Sequence, residues 1–309
     1  MSSPNNILVL GAGELGTAVL QALAERRGPV PNPQITVLLR NSAISSSDPV
    51  KKAALDVLAN LGTDFLFGDL ASASEEELAA LFVPFDTIVS CTGFAAGRGT
   101  QTKLARAVLI AEVKHYIPWQ FGIDYDVLGR GSAQDLFDEQ LDVRDLLRSQ
   151  SRTNWTIVST GIFTSFLFWA RYGVVDVTGE VPVVRALGSW ENRVTATTAK
   201  DIGRLTAEVL LGPNAEDHLN KVVHIAGDTL SYREVATVVA EVKSKDPRME
   251  LWDIPTLQRR LKEDPEDELA KYRVVFAQGK GVAWEKEVSL NGRRGITMTS
   301  ALDWARENL

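Results

Sequence analysis

Asn6-Ile-Leu-Val-Leu-Gly-Ala-Gly-Glu-Leu-Gly16, followed by Thr17-Ala-Val-Leu-Gln-Ala-Leu-Ala-Glu25, decides how this chain folds. An apolar run, a glycine-rich turn and a stretch of helical periodicity read as strand, turn and helix. Gly11 permits the tight turn, Gly13 lets the backbone approach a pyrophosphate, and Gly16 lets the helix pack closely on the strand. The helix opening, with Glu14 and Leu15, offers N–H groups that have no partner within the helix. The spacing therefore predicts a dinucleotide site.

Outward from the turn, strand and helix keep alternating. Gln34 to Leu39 reads as a second strand after a Pro/Gly-rich connection, 28–33, and it ends at Arg40. A cation there pairs with a 2′-phosphate, where an acidic residue would hold the ribose hydroxyls. NADP(H) is therefore expected over NAD(H). Ser42 and Ser45 to Ser47 carry further hydroxyls in the following loop, and no contact is assigned to them. Lys51 to Asn60 reads as helix, Thr63 to Phe67 as strand, and Ser74-Glu-Glu-Glu77 as the capping box of another helix. Asp86 to Gly93 reads as a fourth strand and Thr100 to Val113 as the helix after it. Repeated β-α units predict an α/β fold with a doubly wound parallel Rossmann-type sheet, whose ligands lie outside the carboxyl ends of its strands. That rule places Asp69, Leu70, Cys91, Thr92, Gly93 and Phe94 around the adenosine and the nicotinamide ribose. Cys91 has no activating neighbour in the sequence and reads as a small buried residue. Gly97-Arg98-Gly99 reads as a loop, able to close on a cofactor.

Composition excludes several classes of function. The 309 residues suffice for one large or two modest domains, and 45% hydrophobic with 24% charged residues is ordinary for a globular protein. A net charge of -7 argues against nucleic acid or an anionic membrane as partner. A single cysteine leaves no internal disulfide and no Cys-based zinc cluster, and His115, His218 and His224 lack metal-ligand spacing. No metal site is expected. With no secretory leader pattern and no apolar run of about 18 residues, a cytoplasmic location is expected.

Leu136 to Leu147 carries the chemistry-bearing position. On a helical wheel at about 100° per residue, Leu136, Val143 and Leu147 share one face, Phe137 and Leu141 flank it, and Asp138, Asp142 and Asp145 lie opposite. Gln140 falls inside the apolar arc. A long amide turned inward must find a partner in protein, water or ligand.

Four segments together resemble the NmrA-like and isoflavone-reductase-like family, atypical short-chain dehydrogenases that bind NADP(H). They are Gly11 to Gly16, Tyr116-Ile-Pro-Trp-Gln-Phe-Gly-Ile-Asp124, Leu136 to Arg144 and Lys200-Asp-Ile-Gly203. The similarity runs to about Ala240, and the chain also resembles the fungal branch, often associated with secondary metabolism. It implies an NADP(H)-binding domain over 1–159, with strand and helix returns near 193–226, and a mainly substrate-binding domain over 160–309. Plant members have P-S-E-F-G where this chain has Pro118-Trp-Gln-Phe-Gly122, which implies that Gln120 and Phe121 border the nicotinamide and Trp119 the substrate. They also carry a lysine in a pattern F-x-x-K-x-x-V/I-R, the family's proton donor. The match here is Phe137-Asp-Glu-Gln-Leu-Asp-Val-Arg144, so Gln140 stands in its place. An amide does not exchange a proton near neutral pH, yet it donates hydrogen bonds to a carbonyl or a ribose. No Tyr-x-x-x-Lys pair substitutes for it. Asp124, Tyr125 and Asp126 are the nearest ionisable groups, and carboxylates after a strand also cap turns. Gln140, Asp124 and Tyr125 are the catalytic candidates.

In the second half, Asn154 to Gly161 reads as strand, and Ile162 to Tyr172 holds five aromatics. Phe163, Phe166 and Trp169 are candidates for an apolar substrate pocket, with packing as the competing explanation for each. Val174–Val177 and Val181–Val184 read as a strand pair around Gly179. Arg193–Thr197 and Val222–Ala226 read as strands, with His224 a core or strand histidine. Ser231–Val242 and 255–271, interrupted at Pro265, read as helices, and Ser300–Asn308 as a short amphipathic one. The sequence thus leads to an NADP(H)-dependent oxidoreductase for an aromatic or alkaloid-like small molecule, through iminium reduction or a hydride transfer coupled to cyclisation. The alternative is a non-catalytic NADP(H) sensor that regulates a protein partner. A missing lysine suits the sensor, and the aromatic cluster suits the enzyme.

Overall fold

Ile7, Leu8, Val9 and Leu10 have no exposed surface, so this strand lies in the interior of a sheet covered on both faces. The computed structural model describes residues 6–27, 33–40, 48–94 and 97–309. Ser42, Ser45, Ser46 and Ser47 lie outside the described residues, as does most of the connection before the second strand. The strands are β1 (Asn6–Leu10), β2 (Gln34–Leu39), β3 (Asp64–Phe67), β4 (Thr87–Ser90), β5 (His115–Ile117), β6 (Asn154–Ser159), β7 (Ile162–Phe163), β8 (Val175–Asp176), β9 (Val183–Leu187), β10 (Arg193–Thr197), β11 (Lys221–His224), β12 (Asp228–Ser231) and β13 (Arg248–Trp252). The helices are α1 (Glu14–Arg27), α2 (Pro49–Asn60), α3 (Glu75–Phe82), α4 (Thr100–Ile110), α5 (Tyr125–Leu128), α6 (Leu136–Arg148), α7 (Thr164–Leu167), α8 (Ala199–Leu211), α9 (Tyr232–Lys243), α10 (Ile254–Glu263), α11 (Glu268–Ala277), α12 (Leu290–Arg294) and α13 (Ala301–Asn308).

One structural unit comprises Met1–Gln120, Glu139–Val158 and Ile202–Val223. It holds a seven-stranded sheet in the order β11-β6-β5-β4-β1-β2-β3. β1 pairs in parallel with β2 and with β4, β2 with β3, β4 with β5, and β5 with β6. The order reverses at β1, whose neighbours lead away in opposite directions. In such doubly wound α/β sheets a crevice opens at the carboxyl ends beside the reversal. Leu8, Leu10, Ile88 and Tyr116 of the sheet form one core with Leu104 and Val108 of α4 and Val143 and Leu147 of α6. Truncating any of these leucines to alanine is expected to cost about 2–5 kcal/mol. The capping box read from the sequence forms at α3: Glu77 N donates to Ser74 Oγ at 3.2 Å and Ser74 N to Glu77 Oε2 at 2.9 Å.

The other unit comprises Phe121–Asp138, Ser159–Asp201 and His224–Leu309. It contains two three-stranded sheets, β12-β10-β7 and β13-β9-β8. The strand pair around Gly179 forms with shifted bounds, β8 and β9 running antiparallel through Val175 opposite Val184. The interruption expected at Pro265 within 255–271 separates two helices, α10 and α11. Asp264 leaves helical geometry at φ -136° and ψ 87°, Pro265 supplies no N–H, and Asp267 starts α11 by accepting from Leu269 N and Ala270 N at 2.9 and 3.0 Å. β13 alternates with its apolar residues outward: Met249 and Leu251 are 46% and 49% exposed while Glu250 and Trp252 are half-buried, and the strand exists through its parallel pairing with β9. No helix among the described residues is long and apolar enough to cross a membrane.

Candidate functional site

The turn between β1 and α1 is built from backbone. Gly11 has φ +92°, and its N–H donates to Leu38 O at 3.1 Å. At Gly16 a Cβ would stand 2.1 Å from Gly11 O, so α1 can begin this close to β1 only with glycine there. Thr17 N donates back to Gly13 O at 2.9 Å and Thr17 Oγ1 to Ala12 O at 3.2 Å, which fixes the loop. Gly13 and Glu14 are exposed, Leu15 is buried, and the space beside Gly13 is open. A helix start with unfilled space before it and the positive end of the helix dipole behind it fits a pyrophosphate.

Arg40 and Asp69 follow neighbouring strands and both are exposed. The Ala71 N–H, 3.0 Å from Oδ1, holds the Asp69 carboxyl below the usual range, helped by the Ser72 hydroxyl at 2.9 Å and, more weakly, by Arg40. The Asp69 side chain is thus engaged by its own loop, with the Arg40 cation close by. Leu70 belongs to the core, which leaves only its backbone at the strand end.

The end of β4 is locked to the glycine turn, because Cys91 N and Thr92 Oγ1 both donate to Leu10 O at 3.0 Å. Burial pushes the Cys91 thiol far up, out of thiolate chemistry, in keeping with its reading as a packing residue. Gln101 of α4 is buried and donates through Nε2 to Thr92 O at 2.9 Å. Trp119 covers Gly93, where a Cβ would meet the indole at 2.9 Å, and packs edge-on against Phe94 with ring centroids 4.7 Å apart. Thr92, Gly93, Phe94 and Trp119 therefore come together.

Next to Trp119 lies a buried polar cluster. Gln120, Gln140 and Arg144 have no exposed surface. Gln120 Nε2 donates to Gln140 O at 2.7 Å and to Gln140 Oε1 at 3.0 Å, while Arg144 Nε donates to Gln120 Oε1 at 2.7 Å. Gln140 Nε2 is buried and meets no acceptor among the described residues. The neighbouring Glu139 accepts from Gly99 N at 2.9 Å and Thr102 N at 3.0 Å, tying α6 to the first turn of α4. Arg144 stands four residues after Gln140, and the helical wheel places both on one face. Glu139 sits outside the apolar arc and gives no such signal.

In the other unit Phe121 is buried. Asp124 Oδ1 accepts from Asp126 N and Val127 N, capping α5, and Oδ2 lies 2.9 Å from His224 Nε2. Of the two readings, core or strand, the strand one holds for His224, which ends β11 with its side chain 30% exposed and packed edge-on against Trp284 at 4.9 Å. The pair is separated by 100 residues, and no local pattern announces it. Tyr125 is buried and packs edge-on against Phe137 at 5.1 Å. The five aromatics of 162–172 divide. Phe168 and Tyr172 are buried, Phe163 and Phe166 are partly buried, and Trp169 is 41% exposed. Phe166 packs on Tyr172 at 4.7 Å and on Trp169 and Tyr272 at 5.8 Å, whereas Phe163 ends β7 opposite Thr197 of β10.

The chain matches the model of the NmrA-like family over residues 3–289. It belongs to the NmrA-like family. This NmrA-like chain is 50% identical over 304 residues to an NmrA-like family domain-containing oxidoreductase of Gibberella moniliformis, covering 98% of each. The crystal structure of an isoflavone reductase shares its fold with a TM-score of 0.80 at 21% identity, covering 99% of this chain and 100% of that one. The binary complex of leucoanthocyanidin reductase with NADPH, from Vitis vinifera, does so with a TM-score of 0.79 at 19% identity, covering 98% of each.

Proposed function

We propose that this NmrA-like chain is an NADP(H)-dependent oxidoreductase acting on an aromatic or alkaloid-like small molecule. The observation that carries this is the Gly11–Gly16 turn, a cradle of helix-start N–H groups that a side chain at Gly16 would destroy. The name of the Gibberella relative and the NADPH bound by leucoanthocyanidin reductase support the same conclusion. Bound NADPH would supply a hydride. The backbone of Gly13, Glu14 and Leu15 would hold the pyrophosphate and Arg40 the 2′-phosphate, with Asp69, Thr92, Gly93, Phe94, Gln120 and Phe121 bordering the rest. Phe163, Phe166, Trp169 and Trp119 are the residues proposed to meet the substrate's rings.

Gln140 enters as a hydrogen-bond donor and not as an acid. That favours a substrate whose reacting carbon already bears positive charge, an iminium above all, or a hydride transfer that releases a cyclisation. The same amide favours the second reading, an NADP(H) sensor that binds the cofactor to change its affinity for a protein partner. Stereospecifically deuterated NADPH, offered with iminium compounds, aromatic enones and quinones, separates the two. Label transfer to any of them is expected. Tight NADPH binding with no transfer would establish the sensor.

A further inference from the structure

Arg144, Gln120 and Gln140 form a hydrogen-bonded chain whose direction is set from outside the amides. A guanidinium only donates, so the Gln120 atom 2.7 Å from Arg144 Nε is the amide oxygen. At the other end of the same side chain stands the backbone O of Gln140, 2.7 Å away, which only accepts, so the atom facing it is nitrogen. A donor that cannot accept and an acceptor that cannot donate thus fix Gln120 independently. The result does not depend on telling amide oxygen from nitrogen. That nitrogen also lies 3.0 Å from the Gln140 side chain, which must present Oε1 to it. Gln140 Nε2 is then turned away as a fully buried donor without an acceptor among the described residues, an arrangement that is costly unless another molecule completes it.

We propose that Arg144, acting through Gln120, holds Gln140 in the one orientation that presents an N–H, and that this N–H selects a ligand with an acceptor oxygen at that point. A carbonyl, carboxamide or hydroxyl oxygen satisfies it, whereas a ligand amine or ammonium meets a donor. Arg144 and Gln120 are positioning residues, and Gln140 makes the contact. The proposal rests on the NADP(H)-binding reading, because Trp119 joins this cluster to the Gly93 end of β4.

Gln120→Glu tests the polarity without changing shape. Its carboxylate still accepts from Arg144 but offers no donor to Gln140, whose side chain turns over, donates Nε2 to Glu and presents its oxygen to the ligand. The carboxylate oxygen also faces Gln140 O, a repulsion that lowers Tm and is read separately from affinity. NADPH affinity, and KM for any substrate turned over, are measured for the wild type, Gln120→Glu, Gln140→Leu and the double variant, with Tm as the check on folding. Gln120→Glu and Gln140→Leu are each expected to weaken the same ligand about tenfold, and the double variant to be no worse than either. Loss of NADPH affinity assigns the oxygen to the cofactor, and loss confined to KM assigns it to the substrate. Unchanged affinities in Gln120→Glu, or losses that add in full in the double variant, overturn the proposal. Should Gln120→Glu not fold, the wild type decides: the Gln140 side-chain NH2 resonance, assigned by its disappearance in Gln140→Leu, must shift on adding NADPH or substrate. No shift with either overturns the proposal. A wild type that binds no NADPH overturns the NADP(H) reading and the proposal with it, whereas normal NADPH binding with indifferent variants overturns the proposal alone.

Discussion

The β1–α1 turn and the Gln120–Gln140–Arg144 cluster belong to the same unit and are made of different material. The turn works through backbone groups, and its side chains matter by being absent: Gly16 leaves room for Gly11 O, where a Cβ would come within 2.1 Å. The cluster works through side chains brought from the segment after β5 and from α6, two of them amides whose oxygen and nitrogen ends are interchangeable until a third residue orders them. A backbone site is robust to everything except bulk. A side-chain site can be reversed by a single isosteric change.

The largest expected effect falls on the turn. Gly16→Val forces it open, and NADPH affinity should drop by about 100-fold or more, or the chain should fail to fold. Near-wild-type affinity and Tm would refute a backbone-built cradle. Arg40→Ala comes next, because it removes a charge and leaves the turn intact. NADPH should weaken about 10–100-fold while NADH hardly changes, and equal weakening of both would separate Arg40 from the 2′-phosphate.

On the cluster, Gln140→Lys sets an ammonium against the Gln120 NH2, which Arg144 holds in place from the other side. A loss of about 1–3 kcal/mol in stability is expected from that pair of opposed donors. Gln120→Glu combined with Gln140→Lys should recover it, since one carboxylate accepts from both cations, and should reduce carbonyl compounds better than the single variant. A single Gln140→Lys variant as stable as the wild type would show that the polarity is not enforced.

The smallest effect at neutral pH lies on β5 itself. Thr156 Oγ1 donates to His218 O at 2.9 Å and so accepts from His115 Nε2, 2.8 Å away. Burial pushes the His115 pKa down to about 4, below the value of about 6.5 expected for the unfolded chain. The unfolded chain therefore takes up the proton first. The stability from neutral His115 is complete above about pH 6.5 and is lost as the pH falls toward about 4, on the order of 2 kcal/mol by pH 5. His115→Gln should flatten that part of the stability profile in denaturant titrations. An unaltered profile would place the acid sensitivity elsewhere.

Much of the first unit was legible because its signals are local. Strand, glycine turn and helix follow one another within Asn6–Arg27, and the capping box of α3 spans only Ser74–Glu77. The wheel put Gln140 on the apolar side of α6, and there it is fully buried. The second unit was less legible. β13 forms by pairing with β9 across more than 60 residues and turns Met249 and Leu251 outward, so its alternation marks no buried apolar face. The apolar run marks His224 as a core or strand histidine and it is a strand one, but its partner Asp124 stands 100 residues away and leaves no local signal.

The sequence by itself determined the alternating α/β order, the position and width of the glycine turn, the cation after β2 and the absence of an acid at position 140, since each depends on residue type at short range. Only the tertiary structure decided which way the amides point. Gln120 and Gln140 are chemically symmetric until β5 is laid beside α6, and the direction of their hydrogen bonds then follows from a guanidinium that can only donate.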